Sequence, residues 1–223
     1  MSSTLIIIYL ATILIVALTG VVKFASLTTP VKFITILAIA TFISESLSTY
    51  IAYIHKNNEP VFHFYVILSF WIYALIYFHM LNQIRLRLIF LIISLAFTVF
   101  CALDSLFYQK LASFPSINII LSNAILVCFS LFYFKHLIDV NPFEPLKRNS
   151  SFWFNIAVLA YFSIQIFIWG ILNYLIRNQN KKDMSILLSF AVYVSICYYI
   201  ALGLAILLDI KTTKADIERK TKP

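Results

Sequence analysis

One acidic side chain stands deep inside an apolar stretch of this sequence: Glu45, in TFISESLSTY. Hydrocarbon surroundings make a carboxyl group costly, so intramembrane acids are first candidates for function. Such a group can bind a ligand or lipid headgroup, carry a proton, or hydrogen-bond a Tyr, Asn or Ser of a neighbouring helix. At helical spacing Thr41, Glu45, Ser48, Thr49 and Ala52 share one face, which makes a polar stripe. Other apolar runs carry polar residues biased toward the same end: Asn118, Ser122, Asn123, Gln165, Trp169, Asn173 and Tyr193, with Ser195 nearer the middle. Each alone reads as a hydrogen bond between helices. Together they predict a pocket lined by Glu45, Thr41, Ser48, Thr49, Asn123, Gln165, Trp169 and Tyr193.

A second group gathers at the same surface. The segment HKNNEPVFH supplies His55, Glu59 and His63, and Asp104 closes the fourth apolar run. Two imidazoles and a carboxylate are zinc-ligand types. Their spacing fits no ligand pattern, however, and Pro60 predicts a turn, so a solvated outer loop without metal is expected. Cys101, Cys128 and Cys197 all fall inside apolar runs with no metal spacing and read as small buried side chains. No cofactor is expected.

These residues need elements to hold them, and the composition dictates which. The chain has 223 residues, 62% apolar and 12% charged, with a mean hydropathy of +0.93. Soluble domains are roughly 45–50% apolar and about 25% charged. Seven apolar runs, at about 4–22, 32–54, 62–80, 86–104, 116–135, 152–176 and 185–209, approach or exceed the length of a bilayer-crossing helix. The expected fold is an all-α membrane protein, a single seven-transmembrane helix bundle over 1–210 with a short basic tail at 211–223. The N-terminal run has neither a positive n-region nor a small-x-small cleavage site, so it reads as the first span.

Basic residues alternate in density between the two sides. Lys23, Lys32, Arg85, Arg87, Lys135, Lys147, Arg148, Lys211, Lys214, Arg219, Lys220 and Lys222 fall on one; Lys56, Lys110, Arg177, Lys181 and Lys182 fall on the other. The positive-inside rule places the first set in the cytoplasm, with the N-terminus outside and the C-terminus cytoplasmic. The net charge of +8 then reflects orientation and anionic headgroups, not nucleic acid.

Only three glycines occur, Gly20, Gly170 and Gly203, and all six prolines lie at run ends or in loops. Transporters that coordinate substrate commonly break helices at the midplane; continuous helices packed through bulky side chains are expected instead. The seventh run has no lysine, which excludes a retinal Schiff base there. No nucleophile-elbow, zinc-protease or phosphate-loop motif occurs, and no helix carries regular arginines.

Three stretches carry a resemblance: ISESLSTYIAYIHKNNEPVFHFYVILSFWIYALIYF (43–78), NSSFWFNIAVLAYFSIQIFIWGILNYL (149–175) and ILLSFAVYVSICYYIALGLAIL (186–207). Together they resemble small seven-helix integral membrane proteins of Bacteroidota. The resemblance implies a multi-pass protein of the bacterial inner membrane and signalling alongside a cytoplasmic partner such as a sensor histidine kinase. This chain departs from the pattern at His63–Ser69, where a further Glu early in the third helix is implied.

The leading expectation is therefore a sensor or signalling component. It would bind a small molecule or lipid in the outer half of the bilayer and act through a cytoplasmic partner. The alternative is an intramembrane lipid-modifying enzyme, a lysoplasmalogenase-like hydrolase with Glu45 or Asp104 as acid or base. A channel or transporter is third.

Overall fold

The computed structural model describes residues 3–109, 111, 113–140, 149–178 and 181–221. Lys110 lies outside them, as do Pro142, Glu144, Pro145, Lys147 and Arg148 of the long loop and the side chains of the tail. The described residues form seven long helices and one short 3-10 turn, with no strand among them. The helices are α1 (Ser3–Val22), α2 (Thr29–His55), α3 (Glu59–Met80), α4 (Ile84–Phe107), α5 (Ser116–Val140), α6 (Ser150–Arg177) and α7 (Lys181–Thr221). All seven are long and apolar enough to cross a membrane.

Most helices overrun the expected spans by a few residues, and the reasons are local. Pro30 and Pro60 sit in the first turns of α2 and α3. There the missing N–H costs nothing and the fixed φ suits a helix. The loop expected over residues 55–63 is accordingly much shorter. His55 ends α2, Glu59 opens α3, and His63 lies within α3. Lys56 takes the left-handed conformation (φ 60°) that ends α2, and its N–H returns to the Ala52 carbonyl. The fourth helix also continues past Asp104 to Phe107, so Asp104 does not close it.

α1, α2, α3, α5, α6 and α7 pack in sequence, and α7 closes back on α1 and α2. α4 docks at the periphery on α3 and α5 and buries the smallest share of its length. Its outer face, with Leu88, Ile92, Leu95, Val99 and Leu103, recurs at helical spacing and faces lipid.

Aromatic side chains fill the interior. Phe90 and Phe129 stack at 3.9 Å, and Phe70 meets Phe97 at 4.3 Å. Tyr77, fully buried, touches Phe90, Phe129, Tyr133 and Phe154, and its hydroxyl donates to Asn155 Oδ1 at 2.8 Å. Asn155 in turn exchanges two hydrogen bonds with Ser130, which locks α6 to α5. One crossing is different. At Gly20 any Cβ would overlap the side chain of Thr35, so α1 and α2 meet with almost no spacer.

Candidate functional site

Glu45 projects from α2 toward the interior and is half-buried. The Tyr9 hydroxyl of α1 donates to its Oε1 at 3.2 Å. Among the described residues no other side chain hydrogen-bonds this carboxylate, and none pairs with it as a cation. Tyr65 of α3 and Tyr161 of α6 lie within electrostatic reach of it. Four helices thus bring half-buried polar groups together: Tyr9, Tyr65 and Tyr161 near the acid Glu45.

Beneath this rim is a closed floor. Thr41 is buried and donates to the Leu37 carbonyl at 2.8 Å, so its hydroxyl proton is used within its own helix. Tyr199 donates to Thr41 at 3.0 Å, and the 2.8 Å contact of Thr41 with Tyr65 is satisfied together with these when the tyrosine donates. Tyr73 and Tyr198 join hydroxyls at 2.6 Å, also buried. Ser195 donates to the Ala191 carbonyl at 2.9 Å and its hydroxyl meets that of Tyr161 at 3.2 Å, an arrangement that is satisfied in full when Tyr161 donates. Gln165 hydrogen-bonds Tyr161 from one turn further along α6. Tyr161 and Tyr198 stack at 4.2 Å, and Tyr9 meets Tyr199 at 6.1 Å.

The expected residues divide into three sets. Glu45, Thr41 and Gln165 belong to this cluster. Ser48 is buried on the same face but accepts from Asn58 Nδ2, tying the α2–α3 connection down. Thr49 leaves the stripe: it is exposed and donates back to the Glu45 carbonyl at 2.8 Å. The reason is rotational. From Thr41, seven residues return to within about 20° of the starting direction, whereas eight overshoot by about 80°.

Asn123 is buried in α5 with its Nδ2 unpartnered, and the Gln165 Oε1 is unpartnered too. Trp169 is elsewhere, stacked on Phe114 at 4.9 Å. Tyr193 is exposed and lines a surface groove with Ser185, Ile186, Ser189 and Phe190, all of α7. A second groove runs between α1 and α7 near Lys23. Neither groove takes in Glu45.

The second candidate group forms its own cluster. His63 is buried; its Nδ1 meets Ser105 Oγ at 3.1 Å and its Nε2 donates to the Ser113 carbonyl at 2.9 Å. Glu59 and Asp104 lie within electrostatic reach of His63, and Asn118 hydrogen-bonds Asp104. With both ring nitrogens engaged, His63 pins α3 to α4 and to the α4–α5 connection. His55 is exposed at the end of α2. Among the described residues no three His, Cys, Asp or Glu side chains gather as a metal ion requires.

Two features went unread in the sequence. The first is the tyrosine rim and floor; a Tyr in an apolar run reads as packing. The second is Asp209, 3% exposed near the far end of the bundle. Its carboxylate accepts the Thr28 N–H at 2.9 Å, the Thr28 hydroxyl at 3.0 Å and the Ser150 hydroxyl at 3.1 Å. Thr28 caps α2 and Ser150 begins α6, so two helix N-termini converge on one negative charge. The chain as a whole matches no protein-family model, no curated protein and no solved structure.

Proposed function

We propose that this protein is a ligand-binding sensor of the bacterial inner membrane, with its N-terminus outside and its C-terminus cytoplasmic. A small molecule or lipid headgroup engages the rim around Glu45 in the outer half of the bilayer. The response passes through the bundle to a cytoplasmic partner such as a sensor histidine kinase. The observation that carries this reading is the meeting of three half-buried tyrosines, from α1, α3 and α6, near an acid of α2 that has one hydrogen-bond donor.

The same helices link that rim to the opposite face. Tyr199 reaches Thr41 beside the rim, and ten residues along the same helix Asp209 holds the starts of α2 and α6. A ligand that binds two helix arrangements with different affinity shifts their populations by that difference.

A lipid hydrolase draws less support from the geometry, because Asp104 belongs to the His63 cluster and not to that of Glu45. The test is native mass spectrometry of the full chain, combined with kinase activity of a co-purified partner. Co-purified small molecules or lipids that are lost in Glu45→Gln, with altered kinase output, are expected. Identical ligand content and identical output in the two proteins would overturn the reading.

A further inference from the structure

The hydroxyl protons around Glu45 are already committed. Tyr9 donates to Glu45, Tyr65 and Tyr199 donate to Thr41, Thr41 donates to Leu37, and Tyr161 donates to Ser195. What the oxygens beside Glu45 have left to offer is acceptors. These are the second carboxylate oxygen of Glu45 and the lone pairs of the Tyr9 and Tyr65 oxygens. The remaining surface is aromatic ring. The Glu45 carboxyl group also has no basic partner among the described residues.

We infer that the ligand of this site bears a protonated primary amine. This rests on the reading of Glu45 as a binding site and names the chemistry it selects. An ammonium group supplies what is missing: positive charge, three N–H donors, and a cation that aromatic faces attract. An anion meets the Glu45 carboxylate unfavourably, and none of the hydroxyls beside it has a proton to spare. A neutral hydroxyl supplies one donor and no charge. A quaternary ammonium keeps the attraction to the rings but has no N–H to satisfy the oxygens. The amine has two possible sources, a free amine or the ethanolamine headgroup of a lipid, and the ammonium is common to both.

The full chain, in nanodiscs of phosphatidylcholine, is titrated with hexylammonium, hexyltrimethylammonium, hexanol and hexanoate near neutral pH. Thermal stability and tyrosine fluorescence are read. Hexylammonium is expected to bind saturably, about tenfold or more tighter than the trimethylated and neutral probes. Glu45→Gln is expected to abolish that preference, and Glu45→Asp to keep most of it. Tyr65→Phe, which removes one acceptor, is expected to weaken hexylammonium about threefold, with hexanol unchanged.

Phosphatidylethanolamine doped into the nanodisc separates the sources. Competition with hexylammonium supports the lipid headgroup, and its absence beside hexylammonium binding supports a free amine. Equal binding of hexylammonium, hexyltrimethylammonium and hexanol would overturn the amine inference while leaving a ligand site at Glu45. Glu45-independent binding of every probe, or binding of none, would overturn both.

Discussion

Glu45 and Asp209 are both carboxylates held inside the bundle, and they are treated in opposite ways. Asp209 receives a backbone N–H and two hydroxyls, and it sits at the N-termini of two helices. Its hydrogen bonds reach α1–α2, α6 and α7 at once. Glu45 receives one tyrosine hydroxyl at 3.2 Å, which is long for such a bond. It is also only half-buried, whereas Asp209 is closed off. A carboxylate fully supplied with donors has little left for a ligand, and its work is to hold the fold. A carboxylate with one donor and an accessible side is kept ready for something else. Satisfaction, more than depth, separates the two roles.

The contrast can be broken most forcefully at Asp209. Asp209→Ala removes the acceptor of three donors and the charge facing two helix ends. It should cost about 3 kcal/mol or more and lower the melting temperature of the detergent-purified protein clearly. Glu45→Gln should cost less, about 1 kcal/mol in the same assay, because one long hydrogen bond to a charged group becomes one to a neutral amide. If the two substitutions cost the same, the division into a structural and a reserved carboxylate is wrong.

Tyr9→Phe should cost about 0.5–1.5 kcal/mol and leave Glu45 without a protein donor. Its effect on hexylammonium affinity relative to hexanol should be smaller than that of Glu45→Gln, since the acceptor lost with the Tyr9 oxygen is offset by a carboxylate oxygen set free. Thr49→Ala should stay within about 0.5 kcal/mol in stability and leave ligand response untouched, because this side chain faces away from the site.

The seven helices were legible because lipid imposes a long apolar run on each, and that signal lies within one segment at a time. Glu45 and Thr41 were legible for a related reason: a polar residue in such a run is costly enough to stand out. Tyr9, Tyr65 and Tyr161 were not. A tyrosine is equally at home as packing or as a hydrogen-bonding group, and which role it takes depends on what the neighbouring helix places against its hydroxyl. Asp209 was hidden by position, since an acid at the end of a run resembles one already in water. His63 falls inside the third expected span, 62–80, but was grouped with the outer loop because Pro60 was read as a turn, when a proline just inside a helix start does the opposite. Thr49 was misplaced by treating every four-residue step as staying on one face.

α7 is one unbroken helix of 41 residues, with no proline from Lys181 to Thr221. Such a rod is about 60 Å long, twice the thickness of the hydrocarbon layer. Asp209 fastens it at one point, and about 18 Å of helix continues past that point. The geometry is that of a lever with its fulcrum near the bilayer surface. A tilt of about 10° at the fulcrum displaces the free end by about 3 Å and the opposite end, about 42 Å away, by about 7 Å. Movement of the free end is thus tied to a larger movement of the same helix where it packs on α1, α2 and α6.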